Sequence, residues 1–137
     1  MKIRQGFVSN SSSSSFIIFV KNGELEIEKI LKSFKISKKN KFYSLFYAAA
    51  LTMINNCEEQ TENSYLREYA FTNGDFNFLI KNDNWVGHKQ VKEAFDKNWK
   101  VYTGEISSHI GGLENALCHI EIIYDDKNIF INKDSGY

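Results

Sequence analysis

Five consecutive serines, Ser11 to Ser15, with Arg4, Ser9 and Asn10 just before them, are the residues of this chain best suited to hold an anion. Backbone amides in a tight polar loop form a nest for phosphate, hydroxyls add donors, and a guanidinium completes the charge. The run is clamped between Phe7-Val8 and the apolar Phe16-Ile17-Ile18-Phe19-Val20, which predicts a structured loop feeding a buried strand rather than a solvated linker. Loop then strand is the reverse of a P-loop, where a strand leads into a glycine-rich loop and a helix with Lys at its start, so no nucleotide motif is met. A purely architectural role, with the hydroxyls satisfying the backbone of a rigid turn, uses the same residues.

A second group, Lys32, Lys35, Lys38, Lys39 and Lys41, is interleaved with Phe34, Phe42 and Tyr43. Lysines that hold phosphates and an aromatic that stacks a base would make a nucleic-acid contact. The same lysines would equally meet an acidic partner, or simply solvate the ends of helices.

Three further groups are weaker. His88, His109 and His119, with Glu105, Glu114 and Cys118, follow no zinc-ligand spacing, and adjacent Cys118 and His119 would point to opposite faces of a strand. Ser107-Ser108-His109-Ile110-Gly111-Gly112 has a hydroxyl beside an imidazole but no glycine-flanked nucleophile elbow. Cys57 and Cys118 read as reduced thiols. The expectation is therefore no catalytic residue, no metal and no cofactor.

The opening Arg4-Gln5-Gly6-Phe7-Val8-Ser9-Asn10, the five serines and Phe16 resemble the start shared by many small uncharacterised proteins of bacteriophages, mobile elements and their low-GC bacterial hosts. The closing stretch from Ile129 to Tyr137 is similar to the ends of some of them. The resemblance implies a biological setting, in which small proteins often act as regulators or as inhibitors of host defence, and it implies no mechanism.

The elements that must position these groups follow from pattern. A chain of 137 residues fits one domain, here 1–137 with a serine-rich segment over 1–15, and its 15% aromatic content gives an ample drive for collapse. Residues 16–21 predict a strand ending at Asn22-Gly23. Leu25, Ile27, Ile30, Leu31 and Phe34 share a helical face, with glutamates at the start and lysines at the end, which predicts a helix over 24–35. Residues 42–57 are apolar nearly all round and predict a central, well-covered helix.

Residues 58–63 read as a polar, acidic loop. The aromatic-rich 65–72 and 76–81, around Asn73-Gly74-Asp75, predict a hairpin. A third helix is expected over 86–99, a strand over 101–107, a short helical turn over 113–117, and a terminal hairpin from 120–124 and 129–131. The sum is an α+β domain, a mainly antiparallel sheet of about five or six strands with three helices packed on one face.

Net charge is zero, which removes the footprint of a dedicated nucleic-acid binder. Its distribution is uneven: residues 1–50 hold nine Lys or Arg against three Glu, and residues 101–137 hold two Lys against six acids. Segregated charge favours oriented docking. With no apolar run long enough to cross a bilayer and no signal-peptide layout, the expected location is the cytoplasm, of the host cell if phage-encoded, without membrane contact.

The expected function is that of a non-enzymatic interaction protein of a phage or mobile element. It would bind a host protein or ribonucleoprotein through its charged face and its aromatic-rich middle, and block a nuclease-based defence in the manner of an anti-CRISPR. The alternative is a phosphate- or nucleotide-binding protein, with small-enzyme chemistry in reach, that uses the serine loop together with Arg4, Glu105 or His109.

Overall fold

A computed structural model of the chain describes residues 13–69, 75–82, 87–107 and 112–134. Along the chain lie β1 (Ser13–Val20), α1 (Ile27–Ser33), α2 (Tyr43–Asn55), β2 (Cys57–Gln60), α3 (Glu62–Tyr69), α4 (Phe76–Asn82), α5 (Gly87–Asp96), β3 (Lys100–Ser107), α6 (Gly112–Cys118), β4 (Ile122–Asp125) and β5 (Ile129–Lys133). The five strands form one sheet in the order β2-β3-β1-β5-β4, and every pairing is antiparallel. The α+β class and the antiparallel sheet are as the sequence predicts. The described residues hold six helices rather than three.

Those helices cover both faces of the sheet. A strand buried on both sides reads as a continuous apolar run, and β1 has that character. Phe16, Ile18 and Val20 point to one face, where they pack with Ile106, Ile129 and Ile131 beneath α1, α2 and α6. Ile17 and Phe19 point to the other, where they meet Val101 and the buried Tyr65, Tyr69, Phe76, Leu79 and Val91 of α3, α4 and α5. One core is thus two cores back to back, and the expectation of helices on one face is corrected.

The predicted hairpin is also corrected. Its two aromatic-rich segments are α3 and α4, because Tyr65 and Tyr69 fall four residues apart and Phe76 and Leu79 three apart, each pair lying inward on one helical face. The capping chemistry agrees. Thr61 and Ser64 exchange backbone-to-hydroxyl bonds at the start of α3 (2.8 and 3.1 Å), and the Asp75 carboxylate accepts from the Phe78 amide at 2.8 Å. Asp75 is a helix cap, and Asn73-Gly74 lies outside the described residues.

Residues 57–60, expected mostly as an acidic loop, are the edge strand β2, whose exposed Glu58 and Glu59 suit an unpaired edge. Gly104 in β3 permits its pairing with β1, since a Cβ there would collide with the Phe16 ring and the Asn56 carbonyl. Lys133, at the end of β5, is fully buried, and its ammonium donates to the carbonyls of Cys118 (3.3 Å), Ile120 (2.5 Å) and Asp134 (3.0 Å). It closes the C-terminal end of α6, where helix carbonyls lack intrahelical donors. The terminal hairpin is present as β4 and β5.

Candidate functional site

The serine run divides. Ser13, Ser14 and Ser15 are the first residues of β1 and pair with Ser107, Ile106 and Glu105 of β3, so these three belong to a strand and not to a loop. Ser14 is fully buried and its hydroxyl makes no hydrogen bond, while the Ser15 amide donates to the Asp134 carboxylate at 3.1 Å. Arg4, Ser9, Asn10, Ser11 and Ser12 lie outside the described residues, as do Ser108, His109, Ile110 and Gly111.

The two described histidines do not converge. His88 is buried in α5, with its Nδ1 2.8 Å from the Tyr65 hydroxyl, whereas His119 is exposed beyond α6. Among the described residues no group of three or more His, Cys, Asp or Glu is arranged to hold a metal ion.

A polar cleft of about 520 Å³ runs along the β2 edge, where Cys57, Glu58 and Gln60 face Glu68, Thr103 and Glu105. Inside it the Gln60 amide donates to the Thr103 hydroxyl at 2.8 Å, and the Ser64 hydroxyl donates to Gln60 Oε1 at 2.5 Å. Burial pushes the Cys57 thiol up to about 11, against a help from its backbone hydrogen bond and with Glu58 adding to the rise. The thiol stays protonated near neutrality and donates to the Ile54 carbonyl at 3.3 Å. A protonated thiol is a poor nucleophile.

Lys32, Lys35, Lys38, Lys39 and Lys41 are all exposed, and they are gathered at one corner, the end of α1 and its connection to α2. Lys35 has a left-handed backbone (φ 58) that ends α1 and turns the chain. The connection closes with Asn40, whose side-chain oxygen accepts from the Phe42 amide at 2.8 Å just before α2 begins. Beneath these lysines lies a hollow of about 210 Å³, floored by Leu31, Ile36 and Tyr43 and rimmed by Glu28, Lys32 and Lys38.

α2 continues this surface. Only Ala49, Ala50 and Met53 of the helix are buried, while Leu45, Tyr47 and Leu51 look outward and Phe42 sits exposed at its start. Phe42 and Leu45 keep about half of their surface in water (52% and 51%). The expected central, well-covered helix is instead half bare. Its all-round apolar character was visible in sequence, and it signals either burial on all sides or an unfilled outer face.

The described part of the aromatic-rich middle contributes little to the surface. Tyr65, Tyr69 and Phe76 are core, and Phe78 is the exposed aromatic of α4. No described helix is long and apolar enough to cross a membrane. Comparison with known proteins finds no matching family model, no matching curated protein and no matching solved structure.

Proposed function

We propose that this protein works by binding, and that its docking surface is the corner where α1 meets α2. The observation that carries the reading is the succession of five exposed lysines, at the end of α1 and its connection to α2, and four exposed apolar side chains, Phe42, Leu45, Tyr47 and Leu51, at the start and along the outside of α2. Exposed apolar side chains with a polar rim are what a partner desolvates, and segregated positive charge steers an acidic surface into register. The hollow over Leu31, Ile36 and Tyr43 is shaped to take one apolar anchor from that partner.

The partner that fits is an acidic host protein, alone or within a ribonucleoprotein. The likeness of the opening residues to small phage and mobile-element proteins supplies the setting, a nuclease-based defence blocked in the manner of an anti-CRISPR. Occupation of an acidic patch by this corner would be enough to obstruct such a complex without chemistry.

The test is affinity capture from a phage-challenged host with three baits: the wild type, Lys38→Glu with Lys39→Glu, and Leu45→Ser with Leu51→Ser. The expected result is one acidic partner at stoichiometric level on the wild type, depleted on both variants, and lost from the wild type as salt is raised. A partner retained equally by all three baits, or a wild type recovered alone, overturns the reading.

A further inference from the structure

α2 is bare along one side, and the charges at its two ends are opposite. Ala49, Ala50 and Met53 hold the helix to the core, while Ser44, Leu45, Tyr47, Leu51 and Asn55 are exposed and Ala48 is half-buried. Its thirteen residues span about 20 Å. Lys38, Lys39 and Lys41 stand exposed just before the first turn, and Glu58 and Glu59 stand exposed just after the last. Glu59 lies opposite Tyr102, which packs against the core beneath α2, so its carboxylate is on the same face of the sheet as the helix. None of these five charged side chains makes an ion pair among the described residues.

That layout is complementary to itself. A second copy laid antiparallel along the bare side brings its lysines toward this copy's glutamates, and the same contact recurs at the other end, which is the isologous form of a two-fold interface. The lysines also approach the carbonyl end of the other α2, where cations are favoured. A parallel arrangement would set lysines on lysines and glutamates on glutamates, which is repulsive at both ends.

The apolar residues agree on a register. Leu45 and Leu51 lie three residues to either side of Ala48. A two-fold axis at Ala48 therefore sets Leu45 of each copy against Leu51 of the other. The small Ala48 side chain at the crossing lets the two helix axes approach closely.

We propose that this protein pairs with a second copy of itself through α2, antiparallel about a two-fold axis at Ala48. The contact joins Leu45, Tyr47 and Leu51 of the two copies and closes at both ends with Lys38 and Lys39 against Glu58 and Glu59. Its apolar part is small, since Phe42, Leu45, Tyr47 and Leu51 each expose only about half of their surface or less, well short of the roughly 800 Å² per partner of a standard interface. The dimer is therefore weak, with Kd on the order of 0.1 mM, and it gives way to a partner that binds the same side more tightly. That competition rests on the docking reading above, whereas the pairing does not. It covers the docking face in the free protein, so the apparent affinity for the partner falls as this protein is concentrated.

The experiment is sedimentation equilibrium of the full chain from about 10 µM to about 1 mM. The average mass should climb from one chain toward two across that range, and Leu45→Ser with Leu51→Ser should stay monomeric. Lys38→Glu with Lys39→Glu should weaken pairing at least about tenfold, Glu58→Lys with Glu59→Lys should do the same, and all four reversals in one chain should restore it. Ala48→Cys treated with oxidised glutathione should give a disulfide-linked dimer, because two copies of that position meet at the axis, while the wild type with Cys57 and Cys118 gives none. A wild type that is monomeric up to about 1 mM overturns the inference. So does undiminished pairing by a folded Leu45→Ser, Leu51→Ser variant, four reversals that fail to restore what each pair lost, or an Ala48→Cys variant that does not link. The docking reading fails separately: a monomeric wild type that captures its acidic partner leaves that reading standing, and a four-reversal chain that pairs with itself yet captures the partner as the wild type does overturns that reading alone.

Discussion

A buried ammonium is costly, and Lys133 makes that cost measurable. Burial pulls its ammonium down to about 8 from an ordinary 10.5, with the Asp134 carboxylate opposing the fall. A folded value below the unfolded one means that the unfolded chain binds more protons between about pH 8 and about pH 10.5, so stability rises with pH across that window. The full gap corresponds to about 3 kcal/mol, and raising the pH from about 7 to about 9.5 should recover about 2 kcal/mol of it.

Other groups titrate in the same range. Cys57, raised to about 11 from 9.0, works in the opposite direction, because its contribution is lost as pH rises above the unfolded value. The lysine term is therefore read as a difference. Urea denaturation of the wild type and of Lys133→Met at both pH values should show the wild type gaining about 2 kcal/mol relative to the variant. Equal changes in the two proteins would refute the buried, charged lysine, whatever their absolute stabilities.

Gly104→Ala should lower stability by about 2–3 kcal/mol in the same assay, because the added methyl meets the Phe16 ring and the Asn56 carbonyl in the sheet; a neutral result would mean that β1 and β3 pair differently. Leu45→Ser with Leu51→Ser should lower stability by only about 1 kcal/mol per site, since each side chain is only partly buried, and a loss of about 3 kcal/mol or more per site would show that α2 is covered. With a thiol reagent near neutral pH, Cys57 and the buried Cys118 should react far more slowly in the native protein than in the unfolded one. Rapid native labelling of Cys57 would contradict its protonated, carbonyl-bonded state.

What the sequence made legible was set by period and by continuity. The unbroken apolar run of β1 and the 129–133 strand were readable because a strand buried on both faces needs no contrast with solvent. The same run also carries the signal for helices on both faces, since a strand apolar at every position is one covered on both. Tyr65, Tyr69 and Phe76 misdirect because aromatics favour strands intrinsically, whereas their spacing of four and three residues and the caps at Thr61 and Asp75 decide for helix.

The lysine corner was legible as a cluster in sequence. The bare face of α2 beside it was not, because an apolar outer face looks the same in sequence as a buried one. A recess beside Trp99 was beyond reach, being assembled from β1, α5, β4 and β5. Its only local trace is Asn98, a residue type that tolerates the left-handed turn.

The position of β1 at the centre of the sheet governs how this molecule comes into being. Its partners are β3 and β5, and Phe16 lies opposite Gly104 and Lys133. During synthesis β1 therefore leaves the ribosome without either neighbour: β3 is complete only once residues up to 107 have been made, and β5 only once residues up to 133 have. Contacts this distant along the chain make for a high contact order and slow folding. Through that interval Phe16-Ile17-Ile18-Phe19-Val20 is an unprotected, aggregation-competent segment, flanked by serines on one side and by Lys21 and Asn22 on the other. Polar residues at both borders of the most apolar strand act as gatekeepers in the nascent chain, a role that ends once the sheet closes around it.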